Sequence, residues 1–319
     1  MKKIRVGVVG AGALGRHHAR VYASLPEAEL TGVVDTFPGR AEEVAGAYGT
    51  RPLADHTKLL GSVDAVSIAV PTTLHAEIGT RFLNEGVHVL VEKPIAHTLE
   101  DADLLISAAR ENGMILQVGH LERFNPAVRQ LREIVKRPRF FEAHRMGLFS
   151  PRSLDIDVIL DLMIHDLDII RTLVASPVAG ISAVGIAILS NRIDIANARI
   201  QFEDGCVANV TASRVSTEKI RKLRLFQKHE YISLDYTRQD ISVFSLNHTS
   251  ASDFPEITGK RLTPEKKEPL QQELQSFLRA TQRISPVECS GQDGREALAL
   301  ALKILQKAEK AQSLEFDRS

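Results

Sequence analysis

The sequence predicts a parallel α/β domain followed by an α+β domain, the second built on a mostly antiparallel sheet with helices on one face. Three observations carry this. Across residues 1–120, short apolar runs without polar alternation are separated by helical segments, as expected for parallel strands covered on both faces. Beyond about residue 120 the runs lengthen, and the Asp204-Gly205 hairpin signal within Phe202–Cys206 stands between two of them, which favours antiparallel neighbours. The 319 residues also suit two domains at roughly 150 residues each. The expected division is 1–120 and 121–319, with the last helix either staying in the second domain or packing back on the first.

In the first domain Ile4–Val9 is apolar and β-branched and ends at Gly10. Leu30–Val34 ends at Asp35, Asp64–Val70 is closed by Pro71, and His88–Val91 and Ile115–Val118 complete five strands. The intervening helices are expected at His18–Leu25, Gly39–Tyr48 and Leu74–Asn84, the third with Gly86 as the residue past its end. Thr98 with Asp101 three positions later resembles a capping box, followed by Leu99, Ala102, Leu105 and Ala109 as a buried stripe ending near Asn112-Gly113.

In the second domain Arg123–Val135 and Asp157–Leu173 read as helices. Strands are expected at Arg139–Met146, Val178–Ala187, Ala196–Phe202, Cys206–Ser213, Lys222–Gln227, Tyr231–Asp235 and Ile241–Ser245. Ser250–Pro264 reads as a loop, and helices return at Pro269–Thr281 and Gly294–Ala311. The last carries Leu298, Ala301, Leu302 and Leu305 near one face.

Composition narrows the function classes. Forty basic residues balance forty acidic ones, which removes the usual electrostatic case for nucleic acid as the main partner. No apolar stretch approaches 18 residues, so no membrane span is expected; the short run after Met1 is broken by glycines and suits a strand better than a signal peptide. Cys206 and Cys289 are too few and too far apart for a metal cluster or disulfide scaffold, which points to a reducing, cytoplasmic setting.

The strongest local signal is Val8–Gly15, V-V-G-A-G-A-L-G. Gly10, Gly12 and Gly15 have G-x-G-x-x-G spacing, follow a strand, open a helix and precede Asp35 by 20 residues. That context predicts a Rossmann-type dinucleotide site. Gly10 permits the turn, Gly12 lets pyrophosphate approach the backbone, and Gly15 permits close helix–strand packing. Ala11, Ala13 and Leu14 complete the phosphate turn, whose helix start offers N–H groups to phosphate. Asp35 is expected to accept from the adenosine ribose and to disfavour a 2′-phosphate, giving NAD over NADP; Thr36 follows it. Arg40 moderates that preference, either by approaching a phosphate or by facing solvent. Pro71, Thr72 and His75 follow the third strand, where open α/β sheets meet ligands; Thr72 and His75 either touch the cofactor or serve capping and loop packing.

A second cluster carries chemistry. Val91-Glu92-Lys93-Pro94 follows the fourth strand, so Glu92 and Lys93 are expected beside the cofactor. Asp161 and His165, four positions apart, are expected on one helix face, with Asp166 and Asp168 at other angles. A histidine can take a proton from an alcohol while a lysine orients the oxygen and stabilises developing charge. The alternative is a surface Lys93 and a core or capping His165.

These segments resemble the Gfo/Idh/MocA oxidoreductase family: VGVVGAGALGRHHA, VEKPIA at 91–96 and LDLMIHDLDI at 160–169 agree with it in order and separation, over nearly the whole chain. The resemblance implies an NAD-dependent dehydrogenase acting on CH–OH, with Lys93 and His165 catalytic and Asp161 the accompanying acid. It also implies a cis peptide before Pro94, and a homodimer or homotetramer formed on the open face of the second-domain sheet. Where the commonest family pattern has glycines before the acid, this chain has Ile156-Asp157-Val158-Ile159-Leu160. With GHLERFNPA at 119–127, that departure resembles the nucleotide-sugar branch. The implied substrate is UDP-N-acetylglucosamine oxidised at C3 for amino-sugar or lipid A synthesis. UDP-N-acetylglucosaminuronate or another sugar or inositol is the alternative, and an NAD-responsive regulatory protein is the nonenzyme rival.

Arg123 is expected either to hold a UDP phosphate or sugar group or to pair at a domain interface. Asn125 is expected either to bond a sugar hydroxyl or to cap a helix started by Pro126. Arg145, Arg152 and Arg192 are further candidates for a diphosphate. No metal site is expected, and the adjacent His17 and His18 do not form a ligand set by spacing.

Overall fold

The computed structural model describes residues 3–149, 156–247 and 256–316. The chain forms two compact units: residues up to Leu121 together with Glu268–Leu298, and Glu122–Lys267 together with residues from Ala299 onward.

The first unit holds a six-stranded parallel sheet. Its strands are β1 (Ile4–Val9), β2 (Ala28–Val34), β3 (Arg51–Leu53), β4 (Ala65–Ile68), β5 (His88–Glu92) and β6 (Leu116–Gly119), in spatial order β3-β2-β1-β4-β5-β6. Five match the expected strands to within two residues. β3 has no sequence counterpart, because three residues centred on Pro52, two of them exposed, are too short to display a period. The strand order reverses between β1 and β4, so a ligand site is expected at their carboxyl ends.

Between the strands run α1 (Gly15–Ser24), α2 (Pro38–Tyr48), α3 (His75–Asn84) and α4 (Leu99–Glu111). Thr98 Oγ1 accepts the Asp101 N–H at 3.1 Å, capping α4 as the sequence predicts. The stripe is Ala102, Leu105, Ala108 and Ala109; Leu99 stays only partly covered. Val6, Val8, Val33 and Leu90 of the sheet form one core with Ala19 and Tyr22 of α1.

The second unit carries β7 (Pro138–Leu148), β8 (Val178–Ile186), β9 (Ile195–Phe202), β10 (Val207–Ser216), β11 (Ile220–Gln227), β12 (Glu230–Asp235), β13 (Asp240–Asn247) and β14 (Glu256–Leu262). They make one sheet in the order β14-β13-β12-β11-β7-β10-β9-β8. β7 and β10 run parallel and every other neighbouring pair is antiparallel. α5 (Pro126–Ile134) packs on β12 and β13, and α6 (Ile164–Leu173) on β7 and β10. Along β9 buried and exposed residues alternate strictly, as a sheet with one covered face requires.

Three expectations are corrected here. Arg123–Val135 is not one helix: a 3-10 turn over Leu121–Phe124 is followed by extended Asn125, because the ring of Pro126 disfavours helical geometry in the residue before it. Asp157–Leu173 opens with a π-helical turn over Ile159–Met163 before α6 begins. Within Ser250–Pro264, Glu256–Leu262 is the edge strand β14, paired along β13; residues 250–255 lie outside those described. Six of its seven residues are exposed, so no alternation marked it, and Lys260 and Arg261 suit an open edge.

The chain then enters α7 (Pro269–Thr281) in the first unit and α8 (Gly291–Phe316), which starts there and whose residues from Ala299 belong to the second. Leu274, Phe277 and Leu278 of α7 join the first unit's core; full burial of Phe277 contributes on the order of 2 kcal/mol. No helix among the described residues is long and apolar enough to cross a membrane.

Candidate active site

The β1–α1 turn is built by its glycines. Gly10 has φ +97°, and a β-carbon there would sit 2.4 Å from the Ala69 carbonyl oxygen. A β-carbon on Gly15 would sit 1.7 Å from the Gly10 carbonyl oxygen, so the helix can follow the strand this closely only without a side chain. Gly12, in contrast, faces open space. No side chain caps the start of α1 at Leu14, and the Arg16 and His17 N–H groups bond the Gly12 and Leu14 carbonyls at 3.2 and 2.9 Å, so what the helix start presents to an anion is the positive end of its dipole.

Asp35 stands at the end of β2 and reaches back to this turn. Its Oδ2 accepts the Ala11 N–H at 2.8 Å and its Oδ1 accepts the Phe37 N–H at 2.8 Å. A carboxylate has about four acceptor positions, so capacity remains for ribose hydroxyls. Beside it opens a cavity of about 250 Å³ at the carboxyl ends of β1, β2 and β4, lined by Gly10, Gly12, Asp35, Thr36, Arg40 and Pro71 among others. The open glycine, the uncapped helix start and this carboxylate together fit a dinucleotide. Arg40 lies with its guanidinium 5.1 Å from the Phe37 ring centre. His56 and Leu74 also line the cavity and carry no motif that would have revealed them.

Ala13 and Leu14 are exposed on the turn, and Thr72 begins a 3-10 turn after Pro71 outside the cavity lining. Of the two expectations for His75, the geometry favours loop packing: it is buried, with Nδ1 3.0 Å from the Pro94 carbonyl and Nε2 3.0 Å from the Val70 carbonyl. Burial lowers its pKa, favouring the neutral ring. It thereby ties the end of β4 to the segment after β5, where the Lys93–Pro94 peptide is cis. Lys93 is partly exposed. Glu92 is buried, its Oε1 lying 2.9 Å from His18 Nε2.

In the second unit the π-turn changes the basis for pairing Asp161 with His165. Asp161 lies within the turn and His165 is the second residue of α6, so α-helical spacing does not describe the pair. Both stay partly exposed, whereas Asp166 and Asp168 are fully buried against arginines. Arg145 Nε and Nη2 grip Asp166 at 2.6 and 3.2 Å, and its Nη1 reaches Glu122 at 3.0 Å. Burial works to strip the Arg145 proton, but the charges of Asp166 and Glu122 outweigh it and hold the pKa above the ordinary arginine value.

Of the two expectations for Arg123, the geometry favours internal pairing: 2% exposed, it holds Asp168 with Nε at 2.7 Å and Nη2 at 2.6 Å. Asn125 takes the capping role expected as its alternative. Its Oδ1 accepts the Ala127 N–H at 3.1 Å as the cap of α5, and its amide nitrogen donates to the Tyr236 carbonyl at 3.0 Å. Arg192 remains exposed, 3.9 Å from Asp157, and Arg152 lies outside the described residues.

One cation escaped sequence reading. Arg221, directly across from Arg145 in the β11–β7 register, is partly buried in the field of Asp161, Asp166 and Glu122. Burial first, and then the like charge of Arg145, lower its pKa, a bias that added negative charge would relieve. Only the register of the sheet brings it to this neighbourhood.

Comparison with known proteins matches these two halves. The family model described as an oxidoreductase family with NAD-binding Rossmann fold covers residues 4–120, and the GFO/IDH/MocA C-terminal domain model covers 129–230. UDP-N-acetylglucosamine 3-dehydrogenase of Acidithiobacillus ferrooxidans is 40% identical over 95% of this chain and 97% of its own. A solved structure of that enzyme superposes with a TM-score of 0.90 at 38% identity, covering 97% of this chain and 99% of the other. Inositol 2-dehydrogenase of Rhizobium meliloti is 27% identical over 93% of this chain and 94% of its own. Levoglucosan dehydrogenase in complex with NADH and levoglucosan shares the fold, with a TM-score of 0.86 at 20% identity over 97% and 98% of the two chains.

Proposed function

Because this chain belongs to the Gfo/Idh/MocA oxidoreductase family, we propose that it oxidises the C3 hydroxyl of UDP-N-acetylglucosamine to a ketone with NAD. The observation that carries the substrate is the 40% identity to the Acidithiobacillus enzyme over nearly the full length of both chains. The cofactor reading is supported from within the first unit by the Gly10–Gly15 turn and Asp35.

The first unit holds the dinucleotide: the phosphates approach the turn at open Gly12 and the positive end of the α1 dipole, and Asp35 receives the ribose hydroxyls. NAD, when bound, supplies the hydride acceptor. Lys93 donates a hydrogen bond to the alcohol oxygen and steadies the charge that develops there. His165 takes the hydroxyl proton as general base, and Asp161 orients the sugar or tunes the imidazole. Arg221 is our added candidate for the substrate's diphosphate, in place of Arg123. Amination of the ketone would give a 3-amino sugar of the kind used in lipid A.

The second unit is further read as the substrate-binding and assembly domain. Val184, Ile186, Phe226, Phe244, Leu246 and Ile257 leave apolar surface exposed on its sheet, which supports a homodimer or homotetramer. Dependence on NAD and a nucleotide sugar supports a cytoplasmic setting.

An assay of NADH formation with UDP-N-acetylglucosamine, UDP-N-acetylglucosaminuronate, inositol and simple sugars, with the oxidised carbon mapped, tests the reading. UDP-N-acetylglucosamine should be oxidised fastest, at C3. Faster oxidation of another substrate overturns the substrate assignment, and NAD binding without turnover on any of them overturns the catalytic one.

A further inference from the structure

Four elements converge behind Lys93 in the first unit. α1 contributes His18 and Tyr22, β6 contributes Gln117 and Gly119, α7 contributes Glu273, and β5 ends in Glu92. Glu92 Oε2 accepts the Lys93 N–H at 3.3 Å, while its Oε1 lies 2.9 Å from His18 Nε2. Ligating atoms of His18, Glu92 and Glu273 all lie within 4.8 Å of one another. Glu273 is completely buried, and neither of its carboxyl oxygens has a hydrogen-bond partner among the described residues. Gly119 faces Glu92 across the β5–β6 ladder, and a β-carbon there would stand 3.0 Å from the Glu92 carboxyl carbon. The carboxylate is thus cradled by glycine on one side and approached by Glu273 within the same cluster.

Two ionised carboxylates so close and so dry would repel strongly, so something must neutralise one of them. A metal ion is the less fitting choice. Two ligand atoms on a tetrahedral ion at about 2.1 Å stand roughly 3.4 Å apart. The 2.9 Å between His18 and Glu92 is instead the length of a hydrogen bond.

We propose that Glu273 is a neutral carboxylic acid that braces the Glu92 carboxylate and thereby fixes the backbone from which Lys93 projects. Glu273 is then a positioning residue, acting through Glu92, and the proposal rests on the catalytic assignment of Lys93. Burial and the charge of Glu92 both push the Glu273 carboxyl well above the ordinary range. For Glu92 burial works in the same direction, but the hydrogen bond from His18 and the charges of His18 and Lys93 outweigh it and hold it below that range. The remaining facing groups carry no competing charge: Tyr22 is kept protonated by burial and bonds Ser67 at 2.8 Å, and the Gln117 amide donates to the Glu273 carbonyl at 3.3 Å. With the proton held on Glu273, only Glu92 of the two neighbouring carboxyls is charged.

The test compares the full-length protein with E273Q and E273M. Infrared spectroscopy of the wild type at neutral pH should show a protonated-carboxyl carbonyl band that E273Q lacks. E273M should lower kcat about tenfold or more while leaving the KM for NAD within about threefold, and E273Q, which keeps shape and a donor, should restore most of that turnover. Unfolded Glu273 ionises near pH 4.3 whereas the folded residue keeps its proton, so wild-type stability should fall relative to E273Q as pH rises from about 5 to about 8. If E273M does not fold, G119A takes its place, pressing on Glu92 from β6, and must also lower kcat. Absence of the infrared band overturns the proposal, as does an E273Q as slow as E273M, or a stoichiometric divalent cation that E273Q loses. The infrared and thermal readouts need no sugar, so they remain decisive if UDP-N-acetylglucosamine is not the substrate; turnover is then read on whichever sugar is oxidised.

Discussion

Asp35 Oδ2 accepts the Ala11 backbone N–H at 2.8 Å, so the acid at the end of β2 is tied to the phosphate turn at the end of β1. One carboxylate therefore shapes the turn and, in the proposed function, also receives the ribose. D35A removes a charged acceptor, a loss of about 1.5–3 kcal/mol. The expected result is a KM for NAD raised roughly ten- to a hundredfold, with a smaller loss for NADP because repulsion of the 2′-phosphate is relieved. Steady-state kinetics with both cofactors checks this, and a wild type that prefers NADP would contradict the role of Asp35.

K93A and H165N should each lower kcat by about 10²- to 10⁴-fold, the usual range for losing a positioned proton-transfer or charge-stabilising group. NAD affinity, measured by fluorescence titration, should change only a few-fold. Turnover close to wild type in either variant removes that residue from the mechanism.

Arg123 and Arg221 separate structural from substrate cations. R123A leaves Asp168 buried without its forked partner and should destabilise the protein by about 3–5 kcal/mol in urea unfolding. R221Q should instead raise the KM for the UDP-sugar about tenfold or more with little loss of stability, because the variant relieves like-charge crowding with Arg145. The reverse pattern would return Arg123 to the substrate and Arg221 to the scaffold.

Asp194 predicts an acid limit. Its Oδ2 accepts the N–H groups of Ile188, Leu189 and Ser190 at 2.7, 2.6 and 3.0 Å. Burial acts to raise its pKa, but these bonds prevail and bring it from 3.8 down to about 2. A depressed folded pKa gives stability that is complete above the unfolded value and lost as pH falls from about 4 towards about 2. The shift corresponds to about 2 kcal/mol. D194N should be less stable than wild type at pH 7, with the difference narrowing across that acid window in urea melts. A difference independent of pH would show that the carboxylate charge is not what the turn uses.

What the sequence determined by itself was whatever short-range spacing can encode. Gly10, Gly12 and Gly15 between a strand and a helix, with Asp35 twenty residues on, constrain backbone geometry directly. Two-sided apolar runs marked five of the six parallel strands, and the segments around Lys93 and His165 marked the family. Strands β3 and β14 went unseen because one is too short and the other too exposed to carry a period; hydrogen bonds to β2 and β13 define them.

Tertiary structure decided which charges belong to the scaffold. Arg123 meets Asp168 across 45 residues, Arg145 meets Asp166 across 21, and His18 meets Glu92 across 74. In sequence an arginine bound for the core looks the same as one bound for a diphosphate. Only packing, by removing water from one guanidinium and presenting a carboxylate to it, makes the choice.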